Sequence, residues 1–174
     1  MAQKSDLNKV AVIINGAGGE PAYAKQFGEW TAELNSVLSQ RYGFDSRQIR
    51  VLSEKQATAE EVRRTFTALK SELDVNNVVF LFLIGHGSFD GKEAKFNLVG
   101  PDLSAADYNQ LLTALPTRRI VVFNMSSASG EFLKPLSAKG RIVVTATRNG
   151  QETNATRFPG FFIAALKATD GDTD

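Results

Sequence analysis

The chain has 174 residues, 43% of them apolar and 22% charged, enough for one domain with a sizeable core. Its 20 Lys and Arg stand against 19 Asp and Glu, a net charge of +1, so no basic surplus points to nucleic acid. The absence of cysteine and the single histidine exclude disulfides, a cysteine nucleophile and thiolate or multi-histidine metal sites.

In chain order, residues 9–14 (KVAVII) read as a short apolar strand that runs into the loop Asn15-Gly16-Ala17-Gly18-Gly19. The spacing of Phe27, Trp30, Leu34, Val37 and Leu38 predicts a helix over 21–42, with Gly43 as its stop. Residues 49–52 form a second strand. Thr58 with Glu61 three residues on reads as a capping box, opening a helix to about 73 with Val62, Phe66 and Leu69 inward. A third strand covers 76–84, and 96–98 is a short extended piece. Ser104 with Asp107 caps another helix, which carries Leu111 and Leu112. A fourth strand follows at 119–124, a short helix at 130–136, a fifth strand at 141–145 and a last helix at 159–167. Five strands alternating with helices predict an α/β fold with a mainly parallel, doubly wound sheet. Neither an internal repeat nor a domain boundary interrupts residues 1–174, read as one domain with an ordered core over 9–167 and a tail at 168–174.

Two stretches stand out. Residues 78–87 (VVFLFLIGHG) are seven apolar residues, then Gly85 and His86; residues 120–130 (IVVFNMSSASG) are an apolar run ending in serines. Continuous apolar runs suit strands buried on both faces, and ligands of open α/β sheets bind outside the carboxyl ends of the strands. The two runs are therefore expected to bring His86 and the serine cluster to one sheet edge. Histidine is the usual general base near neutral pH, and a hydroxyl facing it makes a nucleophile-and-base pair. The alternatives are a histidine at the surface or behind a site, touching no ligand, and a serine-rich turn that caps a short helix. The G-x-S-x-G elbow of α/β-hydrolases is absent.

On the motifs Gly85-His86-Gly87-Ser88 and Ser127-Ala128-Ser129-Gly130, the chain resembles the caspase–legumain clan of cysteine peptidases, above all bacterial relatives of the legumain family. Those proteins have a strand ending in His-Gly and a later one ending in a C-x-S-G sequence, with Ser127 here at the cysteine position. Residues 145–152 (TATRNGQE) resemble the legumain segment after the next strand, part of its substrate-pocket wall, and residues 10–19 resemble that family's start. The resemblance covers about 9–167. It implies a three-layer α/β/α sandwich with the five strands in the order 2-1-3-4-5, a form that right-handed crossovers also favour. It implies His86 as general base, Ser127 at the nucleophile position and the amides of Gly87 and Ser127 as an oxyanion hole. Arg148 and Glu152 would bind substrate, serving the oxygen and nitrogen of a polar P1 side chain. The family's asparagine near the histidine falls on or near Gly18, while Asn15 sits a few residues early; a sixth strand and the specificity hairpins are missing.

Serine has no accessible anion near pH 7 and depends wholly on its base. Three functions follow: a peptide-bond hydrolase using Ser127 with His86, a silent pseudopeptidase that binds a peptide or protein partner, or an active cysteine enzyme whose nucleophile has been replaced by serine. No cofactor or metal is expected. Gly16-Ala17-Gly18-Gly19 fits neither phosphate-loop pattern, Asp90 and Glu152 are isolated acids, and Asp170-Gly171-Asp172-Thr173-Asp174 starts a calcium-loop pattern without its glycine and distal glutamate. No apolar run approaches the ~18 residues of a membrane span. The start MAQKSDLNK has no signal-peptide core, and a chain whose leader has been removed reads the same, so the compartment stays open, export included.

Overall fold

The computed structural model describes residues 8–168; the acidic residues 170–174 lie outside the described residues. Five strands, β1 (Lys9–Asn15), β2 (Ile49–Leu52), β3 (Val78–Ile84), β7 (Arg119–Asn124) and β8 (Arg141–Thr145), form one sheet. Its order is β2-β1-β3-β7-β8 and every pairing is parallel. Between β3 and β7 the chain adds β4 (Gly87–Phe89), β5 (Ala94–Phe96) and β6 (Leu103–Ser104), an antiparallel three-stranded sheet. The helices are α1 (Pro21–Gln40), α2 (Ala59–Glu72), α3 (Ala105–Thr113), α4 (Leu133–Leu136) and α5 (Phe158–Ala168).

The large strands are apolar on both sides because each side meets a layer of helices. Along β1, Val10, Val12 and Ile14 pack with Val62, Phe66 and Leu69 of α2 and Tyr108 and Leu112 of α3. The alternate residues Ala11 and Ile13 pack with Phe27 and Leu34 of α1 and Ile163 of α5. The period of two along a strand thus divides one apolar run between two cores. The α1/α5 side is strongly aromatic: Phe82 stacks on Phe123 at 5.1 Å, and Phe123 meets Phe162 at 4.7 Å. Each fully buried side chain of this size stabilises the fold by roughly 1.5–3 kcal/mol relative to exposure.

Boundaries differ from the sequence reading where polar side chains close the chain locally. The helix α1 stops at Gln40, and Gly43, at φ +62°, turns the chain so that the Phe44 amide returns to the Leu38 carbonyl. The strand β3 starts at Val78, not 76, because Asn77 Oδ1 accepts from the Asp74 amide and holds residues 74–77 as a turn. The segment expected as a short helix at 130–136 is a 3-10 turn, Ser129–Phe132, followed by the single turn of α4. Of the small sheet the sequence predicts only an extended piece at 96–98; its strands of two and three residues are too short to carry a period. Among the described residues no helix is long and apolar enough to cross a membrane.

The box at Ser104 is formed as its spacing predicts: Ser104 Oγ accepts from the Asp107 amide at 3.1 Å, and Asp107 Oδ2 accepts from the Ser104 amide at 3.0 Å. Burial pushes the Asp107 carboxyl up, but hydrogen bonds from Arg63 and Ser104 outweigh it and hold the group below its usual range. A lowered carboxylate pKa stabilises the fold above the unfolded value, and that contribution disappears as pH falls through the folded value. Asp107→Asn is expected to cost about 1 kcal/mol at neutral pH. In urea unfolding the two proteins should converge as pH falls below the ordinary carboxylate range; a constant gap would contradict the assignment.

Candidate functional site

In the β3–β7 register Leu83 lies opposite Asn124, so His86 and Ser127 stand three residues past paired positions on adjacent parallel strands. Both lie at the carboxyl edge of the sheet. The edge is laced together by main-chain bonds from loop to neighbouring strand. Gly16 N donates to the Ile84 carbonyl, Met125 N to Leu83, Ala146 N to Asn124 and Asn97 N to His86.

The two side chains make different contacts. Ser127 is 1% exposed, and its hydroxyl accepts from the Gly87 amide at 3.0 Å and donates to the Gly87 carbonyl at 3.1 Å. The half-buried His86 ring is held by α1, edge-on to Tyr23 at 4.9 Å and to Phe27 at 5.0 Å. No hydrogen bond joins the imidazole to the Ser127 hydroxyl. The Gly87 amide, expected at an oxyanion hole, points to that hydroxyl instead. Gly87 is required by this approach: a Cβ there would sit 2.4 Å from the Ser127 carbonyl oxygen and 2.8 Å from Ser126 Oγ. Asn15, buried at the end of β1, pairs in register with Ile84.

The neighbouring serines are also engaged in hydrogen bonds. Ser126 Oγ donates to Asn124 Oδ1 at 2.7 Å. Ser129 Oγ accepts from the amides of Ala146 and Thr147 at 3.0 and 3.1 Å, tying the loop after β7 to the loop after β8. That second loop closes on itself: Glu152 Oε1 accepts from the Arg148 amide at 2.9 Å, and the Glu152 carbonyl accepts from Ala128 N at 2.9 Å. Arg148 and Glu152 are both exposed, and the carboxylate expected to hold a substrate amide is engaged with its own main chain. Among the described residues no cluster of three His, Asp or Glu suits a metal.

A cleft of about 510 Å³ opens between α1 and the start of α5. It is walled by Tyr23, Trp30 and Phe161, with Thr156 and Arg157 between them. Tyr23 also touches His86, and Thr156 Oγ1 donates to the Met125 carbonyl at 2.5 Å, two residues before Ser127. The cleft therefore borders both strand-end loops. Phe161 is 65% exposed, and the Arg157 guanidinium lies 5.6 Å from its ring centre. The sequence reading missed this cleft. Phe161 lies in the helix expected at 159–167 and Arg157 just before it, where only an unusual density of phenylalanine hints at an apolar surface.

No protein family's sequence profile matches the chain, and no curated protein does. Among solved structures the chain is similar to a protein of Geobacter sulfurreducens from a structural-genomics programme, at a TM-score of 0.66 and 14% identity. The match covers 92% of this chain and 82% of that one, and at this identity it speaks to the fold alone.

Removing the hydroxyl in Ser127→Ala leaves the Gly87 amide and carbonyl without a partner and should cost about 1–3 kcal/mol in urea unfolding. Gly87→Ala should cost at least as much, because the added methyl forces the two strand ends apart. Neutral behaviour of both variants would refute the tie between the strand ends.

Proposed function

We propose that this chain is a peptidase-like domain of the caspase–legumain type that does not hydrolyse peptides and instead binds an extended peptide or protein segment. The observation that carries the reading is the double engagement of the Ser127 hydroxyl with Gly87. A serine nucleophile must hand its proton to a base. Here the proton goes to a carbonyl oxygen, and the imidazole that would serve as base lies among aromatic rings of α1. A cysteine at the same position would ionise without such help, which is why the serine matters.

The competing reading is a serine hydrolase, favoured by the matching positions of His86 and Ser127 past adjacent strands. It requires the hydroxyl to leave Gly87 and the imidazole to leave Tyr23 and Phe27. Each of these rearrangements costs contacts that the folded protein already makes.

The aromatic cleft supplies the binding surface. Tyr23, Trp30 and Phe161 offer apolar rings, and Arg157 offers a cation beside them. The matching ligand feature is an aromatic or aliphatic side chain next to a carboxylate. Trp30 is the sole tryptophan, so its emission reports on the cleft directly. Peptides of this type should change the emission saturably and be recovered intact by mass spectrometry. Phe161→Ala should weaken them by about tenfold, the equivalent of ~1.4 kcal/mol. Cleavage products that disappear in Ser127→Ala would overturn the reading in favour of the hydrolase.

A further inference from the structure

A second cavity, of about 530 Å³, lies at the amino-terminal edge of the sheet, opposite the strand ends that carry His86 and Ser127. Arg118 precedes β7, and Lys139 and Arg141 lead into its neighbour β8, so two adjacent parallel strands deliver three cations to one place. Ile120 and Ala138 supply apolar wall, and Thr113 closes the end of α3 beside them.

Two of the three cations are held by hydrogen bonds, and Lys139 is exposed beside them. Arg141 Nη1 donates to Asn109 Oδ1 and to the Leu136 carbonyl, both at 2.8 Å, and Arg118 Nη1 reaches the Thr113 carbonyl at 3.4 Å. Arg141 Nε is buried and has no hydrogen-bond partner. Burial, and then the neighbouring charge of Arg118, make the Arg141 guanidinium easier to deprotonate than an exposed one. Among the described residues no carboxylate lines the cavity and none of the three cations forms an ion pair. The carbonyls at the ends of α3 and α4 offer only the fractional charge of a helix terminus. Among the described residues, three positive charges thus line one cavity with no counter-charge beside them.

We propose that this cavity binds a phosphomonoester, its phosphate between Arg118, Lys139 and Arg141 and its organic part against Ile120 and Ala138. A dianionic tetrahedral group offsets more of the three charges than a single carboxylate; the exposed Arg118 guanidinium can bond two of its oxygens as a fork, whereas Arg141, whose Nη atoms hold Asn109, Leu136 and Thr113, contributes its charge. The volume is that of an ordinary small-molecule site. This inference stands apart from the peptide-binding reading: it concerns the other edge of the sheet and shares no residue with the aromatic cleft.

The test is calorimetric titration of the full chain with phenyl phosphate, inorganic phosphate and benzoate. Phenyl phosphate should bind saturably with a dissociation constant below about 1 mM and more tightly than either of the others. The double substitution Arg118→Gln with Lys139→Gln, both exposed side chains, should weaken it at least about tenfold. Its thermal midpoint without ligand should be unchanged or higher, because repulsion on Arg141 is relieved. Absence of saturable binding, equal binding of benzoate, or unchanged affinity in the double variant would each overturn the proposal.

Discussion

The two hydrogen bonds between the Ser127 hydroxyl and the main chain of Gly87 fix how the central strands β3 and β7 end. They demand a residue without a side chain at position 87, because the Ser127 carbonyl oxygen and Ser126 Oγ occupy the space a Cβ would take. With Gly87 pinned there, His86 is turned outward, and its carbonyl receives the Asn97 amide while its ring reaches α1. The small sheet β4-β5-β6 starts from the same residue, since Gly87 pairs with Phe96. One contact between neighbouring strand ends thereby sets the histidine, the accessory sheet and the serine loop together.

That arrangement explains why residue types associated with hydrolysis serve here as architecture. Ser126, Ser127 and Ser129 are all buried, and each hydroxyl has a partner in the loops after β3, β7 or β8. A buried hydroxyl with partners stabilises a loop, whereas a nucleophile needs an open approach and a base. The open surface lies next door, where α1 and α5 leave an aromatic cleft bordered by Tyr23 and Thr156. The serine hydroxyls are thus enclosed while the cleft beside them is open, and under the proposed reading that cleft holds the bound segment.

Much of the fold is legible in the sequence. The apolar runs at 78–84 and 120–124 marked the two central strands, and Ser104 with Asp107 marked a helix start, because burial on two faces and capping both act over a few adjacent residues. The strand order could be stated because consecutive parallel strands joined by helices have few unknotted, right-handed solutions. Strands of two or three residues at 87–104 carry no period, and the sequence shows of them only the extended piece at 96–98. The sequence also pointed to His86 and Ser127 as neighbours past paired strand ends, since both follow their strands at once. It could not say where their side chains turn. That depends on Tyr23, Phe27 and the Gly87 main chain, which are distant in sequence from one or both, and on the way Glu152 closes its own loop.

The central claim is that the Ser127 hydroxyl is a tie between strand ends and not a nucleophile. Intact-mass analysis after exposure to a fluorophosphonate, with peptide mapping of any adduct, tests it most directly. The account predicts an unmodified Ser127 in the folded protein. A stoichiometric adduct on Ser127 that is lost in His86→Ala would contradict it.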